Sequence, residues 1–134
     1  DRFLNVPAAR LPEPDGSADP DELLAALPAL FDRQQQVNEA GESVAAYLAA
    51  GGPPGRLLAL LGRLLLREDR DFHTIQTVEA AVRQYHLLKG TPEASHVLVA
   101  AARYLAAHAP TMRAQGQTYQ IAYRLSRGER LFEE

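Results

Sequence analysis

A chain of 134 residues with a formal net charge of -3 is long enough for one domain with its own core, and it lacks the basic excess that phosphate binding asks for. It contains no cysteine, so disulfides, thiolate zinc sites, cysteine-ligated clusters and cysteine nucleophiles are excluded within it. The longest strongly apolar stretch, Leu57 to Leu66, is interrupted by Gly62 and Arg63 and falls short of the ~18 residues of a membrane span.

Residues 1–19, with Pro7, Pro12, Pro14 and the turn signal Asp15-Gly16-Ser17, read as an extended arm or linker. Phe3, Leu4, Val6 and Leu11 could dock that arm in a groove. A chain that opens on Asp1 fits a fragment, a processed product or an ordered remainder equally. No leader is evident, and a cytoplasmic location is expected.

Asp19-Pro20 pairs a favoured N-cap with a proline in the first helical position. Leu23, Leu27, Leu30, Val37, Val44 and Leu48 then recur in steps of three and four if Gln34 and Gly41 fill the gaps. This predicts one long amphipathic helix, with a kink or break at Pro28, ending at Gly51-Gly52-Pro53-Pro54. A second helix, Pro54 to Arg67, is leucine-rich around most of its circumference and is expected to be central. Arg67-Glu68-Asp69-Arg70-Asp71 forms a charged corner whose Asp69 or Asp71 could cap the third helix, Phe72 to Leu88.

Gly90 closes the third helix and Thr91-Pro92 opens the fourth, which runs to about His108. Ala109-Pro110 forces a new start, and a fifth helix covers Thr111 to Arg127 before Gly128. In that helix Ala114, Thr118, Ile121 and Leu125 make one face. Met112, Tyr119 and Tyr123 make a second, and Arg113, Gln120, Arg124 and Arg127 project opposite. In the acidic tail, Leu131 and Phe132 are candidate anchors. No strand pattern competes. The linkers are short, so the expected fold is all-α: an antiparallel bundle of about five helices over residues 20–134, with an extended N-terminal arm.

Polar groups on apolar faces are the candidates for chemistry. On the third helix Phe72, Ile75, Val78, Val82 and Tyr85 form a stripe that takes in Glu79 and His86. A carboxylate there is costly unless paired, hydrogen-bonded or protonated. It is read either as a metal ligand or general acid/base, or as a buried structural group bonded to Arg63, Arg103 or Tyr104. Glu79 and His86 stand about 10.5 Å apart along the axis and cannot share one ion. On the fourth helix Glu93-x-x-His96 has the spacing of a carboxylate-bundle metal pair. Glu93 also fits as an acid facing the positive end of the helix dipole, and His108 as a cation near the other end. His73 lies on the polar side and reads as a metal ligand or a surface histidine. If the two helices face each other, Glu79, His86 and His108 reach one level, suiting iron or zinc, or an axial position on a haem. Arg83 and Arg103 pair with acids or hold an anionic ligand.

The strings REDRDFHTIQTVEAAVRQY (67–85), HVLVAAARYLAAHAPT (96–111) and RGE (127–129) resemble the C-terminal helical region of bacterial Rieske [2Fe–2S] domain proteins. The likeness covers Arg67 to Glu134. The resemblance implies a bacterial, intracellular, redox-associated role and candidate site residues His73, Glu79, His96 and His108. The cluster itself needs two cysteines and two histidines, so this chain would be the helical partner of such a domain.

Two principal readings follow. In the first, the chain is the helical portion of an oxidoreductase-like protein with a His/Glu pocket: Glu79 as the catalytic carboxylate, His73, His96 and His108 as ligands beside it, Tyr104 as a supporting donor, and Arg83 and Arg103 toward the cofactor. In the second, it is a non-catalytic helical interaction or oligomerisation domain. Its stripe along the first helix and its leucine-rich second helix would then bury against an upstream domain, a partner chain or another copy. A third reading is a small-ligand pocket lined by Tyr85, Tyr104, Tyr119 and Tyr123. Neither nucleic acid nor membrane is an expected partner.

Overall fold

The computed structural model describes residues 10–130; the docking expected of Phe3, Leu4 and Val6 and the anchoring expected of Leu131 and Phe132 lie outside them. The described residues are all-helical, with six helices: α1 (Pro20–Phe31), α2 (Val37–Ala49), α3 (Pro54–Arg67), α4 (Phe72–Leu87), α5 (Pro92–Ala107) and α6 (Ala114–Ser126). None is long and apolar enough to cross a membrane.

The sixth helix arises because the long first helix is two. The Asp19 carboxylate accepts from the Asp21 amide at 2.8 Å and caps α1. Pro28 stays inside α1 and does not break it. The break comes later, at Asp32 to Gln36, where Gln35 takes a left-handed φ of 62°. Arg33, Gln34 and Gln35 bring nothing apolar to bury, so no packing energy holds the helix straight through them. α2 can then fold back along α1.

The centre belongs to α2 and α5, which make the most extensive contact; α4 covers α5 and α1 covers α2. Small residues let the central pair approach: Ala40, Gly41 and Ala45 on one side, Ala94, Ala101 and Ala102 on the other, all buried. A Cβ on Gly41 would stand 2.6 Å from the Arg103 Nε, because the Arg103 stem lies across α2 there. α3 is not central as expected. It buries Leu57, Leu60, Leu61, Leu64 and Leu65 but leaves Arg56, Ala59, Arg63 and Leu66 outward. Phe31, Leu27, Tyr47 and Leu98 are the large side chains at the heart of the core.

The arm from Arg10 onward lies against α2 and α5. Arg103 Nη2 donates to the Arg10 carbonyl at 3.0 Å. Leu11, Pro12 and Pro14 close a small cleft of about 210 Å³ over Ala45, Leu48, Ala49, Ser95, His96 and Val99.

Candidate functional site

The candidate site residues are all accounted for, and they do not converge. On α4 the buried strip is Thr74, Val78 and Tyr85, with Ala81 and Val82 at its edges. Phe72 and Ile75 fall outside it, 66% and 46% exposed, and they carry Glu79 and His86 with them into solvent. The apolar stripe read from the sequence therefore straddles the true one. Glu79 is not a buried carboxylate: its Oε1 accepts from Arg83 Nη2 at 2.7 Å, an exposed i,i+4 pair.

His73, His86, His96 and His108 are all exposed. His96 sits at the rim of the arm cleft. Glu93, one turn before it, has its carboxyl held below the ordinary value by its own backbone amide, by the Thr91 hydroxyl and by the nearby His96 charge. His108 is the C-terminal cap residue of α5. Its Nδ1 donates to the Tyr104 carbonyl at 2.8 Å, and its ring lies 4.3 Å from the Tyr104 ring. The Asp71 carboxyl is lowered first by hydrogen bonds from the Thr74 amide and hydroxyl, then by the charges of His73 and His108, which share that end of the molecule. His96 lies about 18 Å from His108 along α5. Among the described residues no three His, Asp or Glu side chains gather into a metal-holding group. The donor set Glu79, His73, His96 and His108 does not fit one iron or zinc ion, and no imidazole has the buried position a haem axial ligand needs. Tyr104 is half-buried beside His108, and Arg103 is committed to Gly41 and Arg10, its Nε buried with no hydrogen-bond partner among the described residues.

The strongest polar constellation lies elsewhere, at the charged corner of residues 67–71, from which the sequence reading takes only a helix cap. Glu68 is 7% exposed. Its Oε2 accepts from the Thr111 amide at 2.8 Å and hydroxyl at 2.7 Å; its Oε1 accepts from Arg113 Nε at 3.0 Å and Nη2 at 2.9 Å. Arg113 also reaches Asp32 at the end of α1, and Arg67 Nη2 lies 3.0 Å from the same carboxylate. Burial pushes the Glu68 carboxyl up. The bonds from Arg113 and Thr111, with the Arg113 charge, outweigh that and hold it below the usual carboxylate range. Asp69 completes the corner: its amide donates to the Thr111 hydroxyl, and its carboxylate accepts from the Ala114 and Gln115 amides at 2.8 and 3.0 Å. Asp69 thus caps α6 from outside its own segment, and Arg113 enters the helix with a left-handed φ of 55°. That is why α6 begins at Ala114 and not at Thr111.

Past this root, α6 touches little. None of its residues is buried, and Tyr119, Ile121, Tyr123 and Leu125 are 66, 46, 48 and 53% exposed. The Tyr119 and Tyr123 rings stack at 6.3 Å on one side of the helix. On another side a groove of about 680 Å³ opens between α6 and the end of α3, lined by Leu66, Arg67, Arg113, Gly116, Gln120 and Ile121. The outward leucine of α3 and the outward isoleucine of α6 are its apolar floor.

The chain matches no family model, no curated protein and no solved structure.

Proposed function

We propose that this chain is a non-catalytic helical interaction module: an antiparallel bundle that carries one amphipathic helix, α6, outward for a partner. The observation that supports it is the state of α6. A helix of 13 residues keeps its leucine, isoleucine and tyrosines in water while an ion-pair corner built from α1, α3 and Thr111–Arg113 fixes its first turn. Exposed large apolar side chains concentrated on one element mark a binding surface. The stripe of α1 and α2 and the leucines of α3, the first candidates for such a surface, are largely taken up within the chain's own core.

The test is a paired substitution, Ile121→Asp with Leu125→Asp. The fold should survive, with a thermal midpoint within about 2 °C of wild type, because both side chains are already hydrated. Unfolding of the variant would make α6 a structural part of the core and sink the reading. The competing proposal, the helical portion of a bacterial oxidoreductase-like protein of the Rieske kind, rests on the three residue strings.

A further inference from the structure

We propose that the groove between α3 and α6 receives an acidic amphipathic helix of a partner protein; this rests on the interaction reading and names the chemistry of the partner. The floor is Leu66 and Ile121, 63% and 46% exposed, and the groove is an open trough along two helices, the form in which a helix docks by its apolar stripe. Its charge is one-sided. From Ala114 to Gly128 the chain has no Asp or Glu, while Arg124 lies one turn beyond Ile121 and Gln120 on the groove side of α6. On α3, beyond the groove lining, Arg63 lies one turn before Leu66, exposed and with no ionic partner among the described residues. The acids at the root are already taken, Glu68 and Asp32 by Arg67 and Arg113, and Asp69 by the Ala114 and Gln115 amides. Among the described residues Glu129 alone is paired with Arg124 and Arg127. A docked helix with glutamates flanking its apolar stripe would reach Arg63 past one edge of the groove and Arg124, now paired with Glu129, past the other.

Two other occupants fit less well. A second α6 brings the same arginines and no acid, so like charges would meet. An anionic membrane presents a flat surface, whereas Ile121 and Leu66 line an open trough between two helices.

The test uses the full chain and two labelled synthetic helical peptides sharing one leucine stripe, one with glutamate and the other with lysine at the flanking positions. Fluorescence anisotropy should give binding of the glutamate peptide at least about tenfold tighter than the lysine peptide. Added salt should weaken it, and Arg124→Glu and Arg63→Glu should each cost about tenfold or more. Ile121→Asp should abolish it. Equal binding of both peptides, lost on Ile121→Asp, would overturn the acidic partner and leave α6 as the docking element. If neither peptide binds but sedimentation finds a dimer that Ile121→Asp dissociates, the occupant is a second copy and the acidic partner is wrong. Tighter binding to phosphatidylserine vesicles than to the glutamate peptide would overturn it in favour of a lipid surface. No binding of any kind would overturn both the partner and the interaction reading.

Discussion

Replacing Glu68 by Gln keeps the shape of the side chain and strands two guanidinium groups, Arg113 and Arg67, against one remaining acid, Asp32. Lost hydrogen bonds to a charged group cost about 1.5–3 kcal/mol, so Glu68→Gln should lower the thermal midpoint by several degrees, read by far-ultraviolet circular dichroism. The pH dependence has a definite sign. The folded Glu68 carboxyl titrates below its ordinary value, so its contribution is full above the usual carboxylate range and is lost as pH falls through that range into the folded value. Asp71 shifts in the same direction, held down by Thr74. Wild type should therefore lose stability on acidification more steeply than Glu68→Gln; parallel acid limbs in the two melting series would remove Glu68 from that role. Gly52 illustrates a different constraint. A Cβ there would stand 2.5 Å from the Tyr47 ring, which is 2% exposed and tied through its hydroxyl to the Pro53 carbonyl. The ring cannot yield, and Gly52→Ala should cost about 1–3 kcal/mol in a denaturant titration.

At the scale of elements, the turn between α1 and α2 is a place where one residue type is held against its preference. Gln35 occupies the left-handed region, where a β-branched side chain is strained and glycine is not. Gln35→Gly should be neutral or stabilising by up to about 1 kcal/mol, and Gln35→Ile should destabilise; the reverse order would mean that the turn relaxes to another conformation. The boundaries of α3, α4 and α5 were legible because Asp, Thr, Gly and Pro stand where caps and stops belong: Asp71 accepts from the Thr74 amide, and Pro54 and Pro92 open their helices. The split at Gln35 was not, because the three–four periodicity of Leu30 and Val37 continues across it and carries no record of direction. The faces were legible only to within about one residue. On α4 a rotation of the buried strip toward Thr74 and Tyr85 was enough to move Glu79 from core to solvent.

For the molecule as a whole, what was least legible depended on distance along the chain. Glu68 is one of five successive charged residues, and nothing local marks it as the buried one; its burial depends on Thr111 and Arg113, more than forty positions later. The same long-range placement separates the histidines. His73 and His108 share one end of the molecule, His96 sits by the arm, and Glu79 is paired with Arg83 on the outer side of α4. Groups so placed cannot act as one chelate, and among the described residues no imidazole has more than a pair of donors to offer a metal ion. Titration with zinc, followed by calorimetry, should therefore give weak binding whose components are removed independently by His96→Ala and by His108→Ala, with Glu79→Ala having no effect. One stoichiometric site abolished alike by Glu79→Ala, His96→Ala and His108→Ala would require α4 and α5 to rearrange around the ion. It would give the oxidoreductase proposal the metal site it requires, and an open coordination position on the bound ion would then separate a catalytic site from a structural one.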